Sequence, residues 1–165
     1  MPMAADTQSA LKMPDISRNT LVTLLMAGAA ATVAFDMFGQ AIAPLAGYAK
    51  LAPAPLAGSV VKVIAGEPIK HAGSLVHFLT GLIVYAIGWM FIAKPLADRI
   101  TPKLPWFITA AIYGVVLWVF ALYVMAHLVA GNPAFLGWGG ITWVALWGHI
   151  IYGLVVAWVA ESRRA

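Results

Sequence analysis

The 165-residue chain contains no cysteine. That excludes disulfides, thiolate zinc sites, iron–sulfur clusters, covalently attached haem and thiol nucleophiles. Charge is also scarce: Asp, Glu, Lys and Arg make up 10% of the residues, against about 25% in an ordinary soluble domain. A disordered chain is polar and charged, so disorder is excluded as well. What the chain has instead is apolar surface. Hydrophobic residues reach 62% and the mean hydropathy is +0.89, more than a soluble globule of 17.5 kDa can hide. The composition is that of an integral membrane protein. The net charge of +4 therefore reports loops and lipid headgroups. No basic run, nucleic-acid motif or phosphate-binding glycine loop is present.

A helix needs about 20 apolar residues to cross the hydrocarbon core. Four stretches qualify, at 20–46, 74–93, 106–130 and 141–160. Their apolar runs are continuous rather than alternating, which predicts helices rather than barrel strands. The expected fold is all-α, an up-down-up-down four-helix bundle. Residues 1–18 read as a polar cytoplasmic tail and residues 19–165 as a single transmembrane domain, with an outer loop at 47–73. The first apolar run continues past Asp36 to Ala46, which is long for a cleaved signal. Pro53 and Pro55 predict an extended start to the outer loop, and Leu56–Gly66 a short helix on the membrane surface or dipping into it.

Lys12, Arg18, Lys94, Arg99, Lys103, Arg163 and Arg164 fall on one side of this plan, and only Lys50, Lys62 and Lys70 on the other. The positive-inside rule then puts both termini in the cytoplasm of a bacterial inner membrane. Trp89, Trp106, Trp138 and Trp158 lie near the ends of the apolar runs, as interfacial anchors would, whereas Trp118 and Trp143 sit deeper.

The second and fourth spans share a frame. His77-Phe-Leu-Thr-Gly81-Leu82-Ile-Val84 aligns with His149-Ile-Ile-Tyr-Gly153-Leu154-Val-Val156. On a helix this places a glycine one turn beyond each histidine, on the same face. With a weaker match between 27–47 and 111–131, the economical reading is two tandem helix hairpins. Ala27, Ala31, Phe35, Gly39 and Ala43 form a mostly small face on the first span, suited to close helix packing.

Ionisable residues inside a membrane are costly and mark functional sites by default. Here they are Asp36, His77, His127 and His149, with Gln40 one turn from Asp36. Helical phase lets all four ionisable groups point inward. Counting from the ends of the apolar runs puts Asp36 and His149 roughly 15 Å deep and His77 and His127 roughly 6 Å deep.

Three readings follow. In the structural one, Asp36 and His149 form a buried hydrogen-bonded pair that fixes helix register. In the cofactor one, His77 and His127 face each other and ligate a b-type haem or a transition metal, with Gly81 and Gly153 leaving room. In the third, Asp36 and His149 serve a proton, ion or quinone pathway. Enzymatic hydrolysis has no support. Ser59 and Ser74 lie in no nucleophile elbow, no zinc-protease helix motif exists, and the remaining acidic residues are peripheral.

The His149-x-x-Tyr152-Gly153 run, the first-span segment Ala27–Gln40 and the two-hairpin plan resemble small bacterial inner-membrane proteins of the YagU-like type. The resemblance implies four helices, the inner membrane and no established activity, so it transfers no catalytic residue. Small size, little extramembrane chain and small-residue helix faces suit a non-enzymatic accessory subunit of a larger membrane assembly. Its expected partners are lipids and other membrane subunits or further copies of itself. A haem- or metal-binding redox protein and a proton- or ion-coupled carrier are the alternatives.

Overall fold

The computed structural model describes residues 13–163. Most of the expected tail, residues 1–12, lies outside the described residues. Five helices organise the rest: α1 (Arg18–Leu45), α2 (Pro53–Ala65), α3 (Ala72–Ile100), α4 (Trp106–Val129) and α5 (Gly140–Ser162). Among the described residues there is no strand. Four of the helices, α1, α3, α4 and α5, are long and apolar enough to cross a membrane, and they form an all-α bundle. The chain is a multi-pass membrane protein, and its lipid-facing sides carry exposed aliphatics such as Leu25, Val33, Val84 and Val116.

The bundle is not evenly packed. α5 lies against both α1 and α4, and α3 lies against α1. Close backbone approach sets these pairings. A Cβ on Gly28 of α1 would collide with the Leu82 carbonyl of α3, and one on Gly114 of α4 would collide with the His149 carbonyl of α5. The two glycines of the shared frame do matching work. Gly81 packs on Thr32 of α1 and Gly153 on Ala110 and Gly114 of α4, each touching the helix that precedes it in its own hairpin. The small face on α1 turns inward as its spacing predicts: Ala27, Ala31, Phe35, Gly39 and Ala43 are all buried.

Three expectations need correction. The second span does not stop at residue 93, because α3 runs on to Ile100. Pro95 is absorbed there by a wider turn, in which the Lys94 amide bonds back to the Trp89 carbonyl, and Lys94 pairs with Asp98 at 2.5 Å. Trp89 is consequently not an interfacial anchor: it sits mid-helix, fully buried against Tyr113. Finally, the outer loop does not begin extended. Pro53 and Pro55 occupy the first turn of α2, where a missing N–H costs nothing.

α2 is tied to the bundle at both ends of its span. Gly58 and Gly73 bring it into backbone contact with the start of α3. Ser59 accepts a hydrogen bond of 3.4 Å from Asn132, just beyond α4. Leu51, 5% exposed, sits in a notch formed by Gly39 and Gly148, with its amide bonded to the Gly39 carbonyl at 2.9 Å. At the opposite end, the termini end, where α1 starts and α5 stops, Arg163 donates from Nε to Thr23 Oγ1 at 3.0 Å.

Candidate functional site

α3 and α4 converge only near the termini end. There Tyr113 Oη donates to the Tyr85 carbonyl at 2.6 Å, and Gly88 leaves space for the same hydroxyl. Toward the α2 end the two helices part, and α2 bridges the gap between them. The result is a cavity of about 450 Å³. α2 roofs it with Leu56 and Val60, Leu51 closes one corner, and Phe35 and Phe120 form walls. Tyr85 and Tyr152 line its deeper part, in edge contact at 5.7 Å between ring centres.

The helices around the cavity are locally widened. The Tyr85 amide bonds to the Thr80 carbonyl and the Ala130 amide to the Met125 carbonyl, both five residues back. Such turns displace the backbone and recur beside functional sites. Thr80, Gly81, Phe120 and Met125 belong to these turns and line the cavity.

Two of the four intramembrane ionisable groups reach this cavity: His77 and His149 line it, with Phe35 between them at ring-centre distances of 6.0 and 5.0 Å. His77 Nε2 lies 3.0 and 3.2 Å from the two Asp36 oxygens, so the imidazole donates to the carboxylate. Gln40 donates to the same carboxylate at 2.7 Å. Asp36 is thus paired with His77 rather than with His149. The depth count misjudged this because it took the spans to end at one height. The 41-residue separation hides a direct contact between α1 and α3.

His149 is buried, and its Nδ1 lies 2.7 Å from the Ala145 carbonyl. Trp143 and Trp147 on the same helix are 50% and 58% exposed, as the helical phase predicts for lipid-facing residues. His127 stands apart. Its Nδ1 donates to the Asn132 carbonyl at 2.7 Å, its ring leans on Tyr123, and it does not line the cavity. The structure therefore does not bring His77 and His127 to one site as opposed ligands. Gly81 and Gly153 serve helix packing, although Gly81 also borders the cavity. Among the described residues no three His, Asp or Glu side chains cluster as a metal site would require.

Several cavity residues were not singled out by sequence reasoning. Tyr85 falls eight residues after His77 on the same helical stripe, a signal that could have found it. Leu51, Ser59 and Asn132 come from loop and α2 positions, and only the tertiary fold brings them here.

No family model, curated protein or solved structure matches this chain.

Proposed function

We propose that the chain is a non-enzymatic membrane protein that holds a lipid-soluble small molecule in the cavity between α3 and α4. The observation that carries this reading is the cavity itself, about 450 Å³ and walled mainly by apolar side chains, with a few polar groups converging on it. Ligand sites have this size and this character. In a bilayer the parted helices give such a molecule a sideways route from the acyl chains, with no need to cross water.

The proposal places the protein in a bacterial inner membrane with both termini in the cytoplasm, supported by the lysine and arginine asymmetry. It also makes the chain an accessory component of a larger assembly. The likeness of Ala27–Gln40 and the His149 motif to YagU-like proteins supports the same class.

Native mass spectrometry of protein extracted in a mild detergent tests the binding reading. The expected result is a bound apolar species of several hundred daltons that is lost in Ala121→Trp, which fills the cavity from α4. Empty wild-type protein that also fails to take up added lipid-soluble compounds would overturn it. Blue-native electrophoresis tests the accessory role, and a solitary monomer band would contradict it.

A carrier reading draws on the Asp36–His77 contact, since ionisable groups within a span are costly and mark function by default. It predicts a pH-dependent flux into liposomes that Asp36→Asn abolishes. Flux equal to that of empty vesicles would end it.

A further inference from the structure

We infer that the cavity selects a neutral, lipid-soluble phenol or alcohol, by offering its hydroxyl hydrogen an acceptor on His149 and its oxygen a donor on Tyr85. This rests on the binding reading above and adds the chemistry of the ligand.

The argument begins with a carbonyl. The Ala145 oxygen can only accept, so the His149 nitrogen 2.7 Å away, Nδ1, must carry the hydrogen. In a neutral imidazole the other nitrogen then presents a bare lone pair. His149 is 6% exposed, it lines the cavity, and among the described residues Nε2 has no hydrogen-bond partner. The edge of Phe35 against the ring helps to hold its orientation. An accessible acceptor in a mainly apolar cavity has few donors to draw on, so a ligand that supplies one gains a hydrogen bond there. A hydroxyl does this. A ketone, an ether or a hydrocarbon does not.

Tyr85 supplies the complement. Tyr85 and Tyr152 line the deep part of the cavity with Tyr113 just beyond it, and two of the three are already committed. Tyr113 donates to the Tyr85 carbonyl at 2.6 Å and Tyr152 to the Gly81 carbonyl at 2.5 Å. The Tyr85 hydroxyl makes no hydrogen bond within the described residues, although its ring is held by Phe120 and Tyr152. It can donate to the oxygen of a ligand whose hydrogen goes to His149. Of the other hydroxyls on the wall, Thr32 is engaged with the Gly28 carbonyl and Ser59 with the Leu56 carbonyl, which leaves Thr80 beside Tyr85 as a further donor. Beside the site, His77 Nε2 is taken up by the Asp36 carboxylate. The lining itself holds no Asp, Glu, Lys or Arg side chain, so it offers no ion-pair partner to a carboxylate or an amine, and the ligand it fits is uncharged.

The test uses the full chain in lipid nanodiscs with two probes matched in size, 4-nonylphenol and its methyl ether. Binding is read by native mass spectrometry against titrated probe. The phenol is expected to bind about tenfold more tightly, the worth of one added hydrogen bond. In His149→Phe, which keeps a flat ring of similar shape, the ratio should collapse toward one. In Tyr85→Phe it should fall by a smaller factor. Equal binding of the two probes to wild type would overturn the inference while leaving the cavity reading intact. Binding of neither probe would overturn both. Phenol binding that survives in Ala121→Trp would put the probe on the lipid-facing surface and overturn the inference as well. The wild-type comparison needs no variant to fold.

Discussion

Asp36 and His77 meet at 3.0 Å across α1 and α3, and the carboxylate is held again by Gln40 at 2.7 Å. Both side chains are less than one-fifth exposed. Removing one member of a buried hydrogen-bonded pair leaves the other polar group unsatisfied, which costs about 1–3 kcal/mol. Partial exposure lowers that ceiling. Asp36→Asn and His77→Gln should each destabilise the bundle by up to about 2 kcal/mol, read as a drop in unfolding midpoint in nanodiscs. The double variant should lose less than the sum of the two. Strict additivity would mean that the contact carries no coupling.

The glycines separate packing from tolerance. A Cβ on Gly28 would strike the Leu82 carbonyl, whereas one on Gly140 meets only Ala49 Cβ at 3.6 Å, an ordinary contact. Overpacking costs about 1–3 kcal/mol, and more where backbone must move. Gly28→Ala should therefore lower the unfolding midpoint markedly and Gly140→Ala hardly at all. Similar midpoints for the two variants would contradict the close α1–α3 approach.

The four spans were legible in the sequence because a bilayer imposes length and apolarity on any crossing helix. The end of α3 was not, since Lys94 and Pro95 look like a stop and only a widened turn carries the helix through them. The buried side of α5 was legible from His149 opposite Trp147, because helical phase alone decides it. The partner of Asp36 was not. Phase tells which way a side chain points, but two helices also slide along each other, and nothing local sets that offset. Tyr85 could have been read from its place on the His77 stripe. The roof formed by α2 could not, since Leu51 finds its notch only after α1 and α5 have packed.

Topology follows from the shared end. The α3–α4 connection lies on the same side as the start of α1 and the end of α5 in a bundle of antiparallel neighbours, and α2 lies on the other. The cysteine-free chain allows single reporters without background. Lys62→Cys on exposed α2 should react with a membrane-impermeant maleimide in intact spheroplasts. Lys103→Cys should react only after permeabilisation. The reverse pattern would invert the proposed orientation, and labelling of both from one side would break the four-span plan.

The turn between α4 and α5 is held against its own backbone preference. Phe135, Leu136 and Trp138 have φ of 48°, 54° and 58°, in the left-handed region, at a cost of roughly 1–2 kcal/mol each. Two devices oppose that cost. Thr142 Oγ1 donates to the Phe135 carbonyl at 2.5 Å, while its own carbonyl accepts from Trp118 Nε1 at 3.1 Å. The Phe135 ring lies 4.6 Å from Trp118 and 4.5 Å from Trp138. Strain so firmly held suggests use, and Leu136 from this turn lines the cavity. Thr142→Val keeps the shape but removes the donor, leaving the Phe135 carbonyl unpaired at a cost of about 1–3 kcal/mol. Amide exchange over residues 133–139 should accelerate, and the cavity should bind its ligand more weakly. Thr142→Ser should restore both, because the hydroxyl returns. Unchanged exchange in Thr142→Val would show that aromatic stacking alone holds the turn.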